Sequence, residues 1–400
     1  MSTPTSKNIY FLIAASCINE IYDVFLGVFM VSFLFKQTSE NVVDISIYHL
    51  ACYFVVGVMA YLTGNWMKRG NRVLMYQFGI ISTFIFFISF LFLKERVIDY
   101  IPLYGALFGI ITSFKAFPFN LIVADSIPFS KMIAFKGCLE GLKSTILVVS
   151  PLLLGFFLTF DSYFNTIAFL AFMAFVEFIF SSQIKFPLRE KAAKLDIKTF
   201  WKRTKKLKFL QHLYKMEFCR GMTVEGTLGT LITLYIVYLF HTDFNLGLIS
   251  SIFYGMTIVL NFVFGRYCQY KYFVRILAFA AILVISSVAI FIFIPGKASF
   301  IFYNFCFIVL AQFMRIIVDI NMYNVSNLPE VIEHKNEYFI VRELFVNSGR
   351  LLSYGLLLIV GMFNNYDSLK YLLLFLTLFV TFMSISGIKL NKYFMNFGKE

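Results

Sequence analysis

Residues 104–128 read YGALFGIITSFKAFPFNLIVADSIP, and residues 303–329 read YNFCFIVLAQFMRIIVDINMYNVSNLP. Each is a long apolar run with a cation in its middle and a proline at its end. Tyr104, Lys115 and Pro128 precede Tyr303, Arg315 and Pro329 by 199, 200 and 201 residues. A match at half the chain length predicts two related halves. Other marks keep the same order: Leu34-Phe35 with Leu239-Phe240, Gly64 before Lys68 and Arg72 with Gly265 before Lys271 and Arg275, and Asp161-Ser162 with Asp367-Ser368.

Working outward, the 400 residues are 60% hydrophobic and 14% charged. Soluble chains are nearer 45–50% apolar and about 25% charged, so the composition excludes an ordinary cytoplasmic enzyme and a disordered protein. At about 20 residues per crossing, this apolar content supplies roughly twelve helices. Apolar runs place the first six at about 8–35, 45–66, 73–93, 100–126, 134–159 and 163–184, and the second six at about 213–240, 246–266, 273–294, 299–325, 339–362 and 368–388. The expected fold is all-α and membrane-integral, in three parts: a six-helix bundle over 1–184, a basic linker with an amphipathic helix over 185–212, and a second bundle over 213–400.

Twelve crossings return both termini to one side. Lys68, Arg69, Arg72, Lys131, Lys136, Arg266, Lys271, Arg275, Lys389, Lys392 and Lys399 are assigned to that side, which the positive-inside rule makes cytoplasmic. Residues 185–215 hold eleven Lys or Arg against Glu190 and Asp196, and so supply nine of the formal +13. Leu195, Ile197, Phe200, Trp201 and Leu207 are interspersed with these cations. The pattern suits a helix on anionic inner-leaflet lipids, and equally a solvated linker. It does not suit nucleic-acid binding, because the charge is confined to one loop tied to the bilayer at both ends.

The polar start, Met1–Lys7, leads into an apolar run containing Glu20 and Asp23, which is wrong for a cleaved signal peptide. Six scattered cysteines and four histidines (His49, His212, His241 and His334, near span ends or in loops) predict no metal site, disulfide framework or buried histidine. No GxxxxGK[ST] sequence occurs, so no nucleotide site, and no other cofactor, is expected.

Six plus six helices, a long basic central loop and internal termini resemble the major facilitator superfamily over nearly the whole chain. That family's GxxxDRxGRR motif corresponds to Gly64-Asn65-Trp66-Met67-Lys68-Arg69-Gly70-Asn71-Arg72, with Met67 replacing the acidic residue. Ser150-Pro151-Leu152-Leu153-Leu154-Gly155 keeps the proline, and only a later glycine, of the family's antiporter motif on span five. The resemblance implies alternating access about a mid-membrane site lined by spans one, four, seven and ten, with antiport as its direction, and Lys68 and Arg72 among the gating residues.

Charges at bilayer depth cost about 2.5–3.5 kcal/mol on insertion scales, so each should face a cavity or a partner. Glu20 and Asp23 lie in span one, Lys115, Asn120 and Asp125 in span four, Arg220 and Glu225 in span seven, and Arg315, Asp319 and Asn321 in span ten. Spacings of three (Glu20, Asp23) and four (Arg315, Asp319) put each pair on one helix face. Lys115 and Arg315, equivalent in the two halves, would clamp an anionic group between them. Lys115, Arg315, Asn120, Asn321 and Arg350 are therefore the expected substrate ligands, and Glu20, Asp23, Glu225 and Asp319 the expected proton carriers. Arg342 and Glu343 are expected near the cytoplasmic surface as a gate. Glu140 and Lys143 lie within span five, and Glu177 stands alone in span six. The bland alternative is structural pairing, for example Asp23 with Lys115 and Glu225 with Arg315. Pro118 and Pro151 should bend spans four and five, and most of the 53 phenylalanines should face lipid or pack in the core.

The sequence thus predicts a non-enzymatic, monomeric secondary transporter in the cell membrane, moving a small anionic or zwitterionic amphipathic solute outward in exchange for protons. Organic-anion uptake or uniport is the rival within transport. An interaction or immunity protein that keeps the fold without transport is the rival of another class.

Overall fold

A computed structural model describes residues 6–38, 41–69, 72–160, 163–183, 195–240, 243–363 and 366–397. Among them the regular structure is helical. The first crossing is α1 (Ser6–Val24), a π-helical turn at Phe25–Phe29, and α2 (Met30–Gln37). Next come α3 (Val42–Arg69), α4 (Arg72–Leu93), α5 (Ile101–Ser126), α6 (Met132–Phe160) and α7 (Tyr163–Ser182). After the linker, α8 (Ile197–Thr204) is a short helix. The seventh crossing is α9 (Lys208–Met222) with α10 (Thr227–Phe240). There follow α11 (Asp243–Tyr267), α12 (Tyr270–Phe293), α13 (Lys297–Ser326), the single turn α14 (Pro329–Ile332), α15 (Lys335–Met362) and α16 (Tyr366–Phe397).

Eleven stretches are long and apolar enough to cross a membrane, and one of them, Arg72–Ser126, has 55 residues. As one helix it would run about 80 Å, more than twice the hydrocarbon thickness. A 3-10 segment at Lys94–Tyr100, entered through the left-handed backbone of Lys94 (φ 52°), folds it into two crossings. That makes twelve. Pro118 and Pro151 lie inside unbroken helices.

Within the first half α3 and α4 pack on α5, α4 packs on α7, and α1 on α6 and α7. In the second, α9 packs on α15 and α16, and α12 on α13 and α16. The halves meet along two helix pairs, α3 with α15 and α6 with α11. Glycine permits the second: a Cβ on Gly137 of α6 would stand 2.2 Å from the Cα of Gly265 of α11. Lipid offers no hydrophobic drive for helix association, so such backbone contact supplies dispersion in its place. Large apolar side chains, such as Phe84, Phe172, Val259, Phe279 and Ile282, are exposed around the outside.

The seventh crossing differs from the uninterrupted helix expected over 213–240. Residues 223–226 leave the helix as a turn, with the Glu225 amide bonding back to the Arg220 carbonyl at 3.1 Å. The first crossing is also irregular, its π turn beginning two residues after Asp23. Both irregularities lie beside the charged interior.

The linker segment 184–194 lies outside the described residues. Asp196 caps α8 by accepting the Thr199 amide at 2.9 Å. Phe200 is buried, and Trp201, still partly exposed, adjoins the rings of Tyr214 and Phe345. Part of the helix's apolar face is thus spent on α9 and α15 rather than on lipid.

Candidate functional site

Between the halves lies a cavity of about 260 Å³ whose wall carries most of the buried charge. Its central device joins α6 to α13. On α6, Lys136 and Glu140 are one turn apart and bonded at 3.0 Å. Arg315 and Asp319 of α13 face them in the opposite order. Arg315 reaches Glu140 at 2.7 Å, and Lys136 reaches Asp319 at 2.6 Å. Two ion pairs of opposite polarity therefore cross between the halves.

The network continues through the second half. Arg220 bonds Asp319 at 2.6 Å and also holds Glu225. Glu225 meets Arg350 at 2.6 Å, Arg350 meets Glu343 at 3.3 Å, and Glu343 meets Arg342 at 2.9 Å. Arg342 closes the series with a bidentate grip on fully buried Glu217, at 2.9 and 3.0 Å. The broken seventh crossing is what turns Glu225 back between Arg220 and Arg350. Five cations (Lys136, Arg220, Arg315, Arg342, Arg350) are matched by five carboxylates (Glu140, Glu217, Glu225, Asp319, Glu343), so the connected set is neutral. Each member has a partner within hydrogen-bonding range, which offsets the desolvation of burying it.

On the first-half side, Lys115 bonds Glu177 at 2.8 Å and donates to Asn19 at 2.9 Å, over the ring of Tyr22. Tyr76 donates to the other Glu177 oxygen at 2.8 Å. Lys143 pairs with Glu20 at 2.8 Å. Asp23 differs. It lines the cavity, is exposed to it, accepts the Asn19 amide at 2.7 Å, and among the described residues has no ion pair.

The wall brings together Lys115, Asn120, Arg315, Arg350, Asp23, Glu225, Asp319, Arg342 and Glu343 among the predicted site residues. Glu20 and Asn321 are not on it. Asn321 is fully buried, with neither amide atom bonded. The suggested pairings are replaced: Lys115 goes to Glu177, Arg315 to Glu140, and Glu225 to two arginines. Glu177, read as solitary, is fully buried and doubly bonded. Arg342 and Glu343 do not join the two halves as a gate: Arg342 ties α15 to α9 through Glu217, and Glu343 bonds Arg342, Asn347 and Arg350 on α15 itself. Lys136, assigned to a loop, is a buried cavity residue. Lys136, Glu217, Tyr76 and Asn19 were all missed. The four-residue spacing of Lys136 and Glu140, identical to that of Arg315 and Asp319, was the available signal.

The halves also touch beyond both ends of the cavity. Towards the termini, Asp125 at the end of α5 bonds Lys335 at the start of α15 at 3.0 Å, and Arg72 at 2.5 Å. Closer in, on the cavity wall itself, Asn120 accepts the Tyr323 hydroxyl at 2.8 Å. The carboxylate missing at Met67 is thus supplied to Arg72 by α5. The Lys68 side chain lies outside the described residues. At the far end His49 of α3 stacks on Tyr354 of α15, centroids 4.4 Å apart. His49 lies near the start of α3, as its position near a span end implies, but it is buried with neither ring nitrogen bonded, where the sequence predicts no buried histidine. Arg350 lies 4.9 Å from the centre of the neighbouring Tyr53 ring, joining this closure to the charge network. No group of three or more His, Cys, Asp or Glu suited to a metal occurs among the described residues.

A twelve-helix body split into two halves around a charged central cavity is the architecture of the secondary-transporter folds. The chain belongs to the Major Facilitator Superfamily, which it matches over residues 12–353, and is a membrane transport protein. It is 20% identical over 353 residues to the uncharacterized protein YqgE of Bacillus subtilis, covering 87% of this chain and 81% of that one. Its fold is similar to a bacterial homologue of the iron transporter ferroportin in the outward-facing state, with a TM-score of 0.70, 12% identity, and 97% and 99% of the two chains covered. It is also similar to the human organic anion transporter MFSD10 (TETRAN), with a TM-score of 0.64, 10% identity, and 95% and 100% covered. At these identities the likeness concerns the fold.

Proposed function

We propose that the protein exchanges protons for a small zwitterionic solute by alternating access, in the outward direction, from a cell membrane whose cytoplasmic face bears both termini. The observation that carries this reading is Asp23, a cavity carboxylate without a cationic partner among the described residues, whereas the seven cations of the wall are matched by seven carboxylates, three of them (Glu20, Glu177 and Glu217) set behind it. With Asp23 ionised the cavity has one uncompensated negative charge. It then accepts one proton or one positive group, and the two compete. That competition is the elementary requirement for exchange.

Charge balance also chooses among substrate classes. A bare anion must displace a carboxylate from a cation such as Arg315 or Lys115, and the freed carboxylate then takes up a proton to remain neutral. Anion and proton would bind together and travel together, the opposite coupling. A zwitterion brings a positive group that replaces the proton at Asp23, while its acidic group shares Lys115 or Arg350 with Glu177 or Glu225, so the exchange with the proton turns on the positive group. Volume limits its size: about 260 Å³ falls just below the range of about 300–1,000 Å³ for drug-sized ligands. Rocking of the halves would alternately break the Asp125–Lys335 and His49–Tyr354 contacts.

The test uses proteoliposomes loaded with a pH-sensitive dye and challenged with small zwitterionic and anionic metabolites. A zwitterion added outside should raise lumenal pH as protons leave, and Asp23→Asn should abolish the change and weaken solute binding. Acidification driven by an anion would overturn exchange in favour of anion–proton uptake. Solute flux without any pH change would establish uniport. No flux for any solute would favour the interaction-protein reading.

A further inference from the structure

A second concavity, of about 550 Å³, lies in the second half at the end nearest the chain termini, enclosed by α8, α9, α15 and α16. Its base is apolar: Phe218, Phe345, Phe382 and Ile385. Tyr214 and Phe345 stack nearly parallel, 4.7 Å apart and 8° inclined, and Trp201 of α8 closes over both. Phe382 and Ile385 remain about half exposed, at 56% and 45%. The rim carries the cations Lys215 and Lys389 beside the imidazole of His212.

The polarity is ordered by depth. On α9, which leads away from the linker, His212 and Lys215 precede Phe218 by about 9 and 4.5 Å of helix rise. On antiparallel α16, Lys389 follows Ile385 and Phe382 by about 6 and 10 Å. Both helices therefore put their cations at the end nearest the termini and their apolar residues deeper. Neither Lys215 nor Lys389 has an ion pair with a described carboxylate, and both lie with Lys208 within electrostatic reach of His212. Like charges gathered on one rim above a partly exposed aromatic floor match a molecule with an anionic head and an apolar tail.

We propose that this groove is a binding site for an anionic phospholipid of the leaflet facing the termini, its phosphate between Lys215 and Lys389 and an acyl chain along Phe218, Phe382 and Ile385. The site is separate from the central cavity and does not depend on the transported solute. It also gives the basic linker region a definite receptor, since α8 contributes Trp201 as the groove's wall while Phe200 holds the helix to the protein.

The chain has two tryptophans, so Trp66→Phe leaves Trp201 as the sole indole, at the groove itself. That variant is reconstituted into phosphatidylcholine vesicles containing phosphatidylglycerol, with bromine carried on the acyl chains of one lipid or the other. Brominated phosphatidylglycerol should quench Trp201 more strongly than brominated phosphatidylcholine at equal mole fraction. Lys215→Gln and Lys389→Gln should each weaken that preference about fivefold, the effect of about 1 kcal/mol per cation at an anionic surface. Unchanged Trp201 emission of these variants in detergent would show that the groove is intact. Equal quenching by the two lipids, or a preference that survives both substitutions, would overturn the proposal.

Discussion

Arg315 of α13 lies 2.7 Å from Glu140 of α6, and each residue has on its own helix, one turn away, the opposite charge that pairs back across the gap. The two halves are joined at the cavity by a complementary pair of dipolar faces. Such an interface is tight when aligned and costly when displaced by one turn, as suits halves with two discrete arrangements.

Breaking this device from one side should be severe. Glu140→Gln leaves Arg315 and Lys136 each short of a carboxylate in a buried site, and should destabilise the purified protein by roughly 3–5 kcal/mol in thermal unfolding. The double variant Glu140→Gln with Arg315→Gln removes the stranded guanidinium together with the carboxylate, leaves Lys136 with Asp319, and should recover a large part of the loss. If the double variant is no more stable than Glu140→Gln, the pair is not coupled.

Gly221 makes a packing prediction. A Cβ there would stand 2.0 Å from the Val346 carbonyl oxygen and 3.1 Å from the Arg350 amide. Gly221→Ala should therefore cost on the order of 1–3 kcal/mol by overpacking and should displace α15, which carries Arg342, Glu343 and Arg350. Thermal unfolding checks the first effect. A loss of solute flux larger than the loss of folded protein checks the second.

The Asp125–Lys335 contact predicts a shift in access rather than in folding. Asp125 is partly exposed, so its pair is worth only up to about 1 kcal/mol, and Asp125→Asn should raise the population open toward the termini by up to about fivefold. A cysteine at Asn120, in a background without the native cysteines, reports this opening by its alkylation rate with a membrane-impermeant maleimide. An unchanged rate would mean that Asp125 does not hold that end closed.

Much of the fold was legible in the sequence. Apolar runs together with the charged breaks between them, such as Lys94–Asp99, separate the twelve crossings, because lipid admits only segments whose backbone bonds are satisfied internally. The half-length repeat paired α5 with α13 through Lys115 and Arg315, and both cations do reach one cavity. The interruption at residues 223–226 is not legible in the sequence because the charged stretch around it, with Lys215, Glu217, Arg220 and Glu225, holds no proline to mark where the helix stops. Lys136 was misplaced because a lysine near a span end reads the same whether it faces water or a carboxylate on another helix.

The sequence by itself determined that this is a twelve-helix membrane protein in two related halves, with a few charges placed where lipid would not tolerate them. Burial energy per residue suffices for that conclusion. Only the tertiary structure decided which charge meets which, since ion pairing depends on distances of about 3 Å between helices remote in sequence. Lys115 and Arg315 are balanced by Glu177 and Glu140, and Asp23 has, among the described residues, only an asparagine amide. That difference in partners, which no spacing along the chain encodes, makes Asp23 the residue on which the proposed exchange turns.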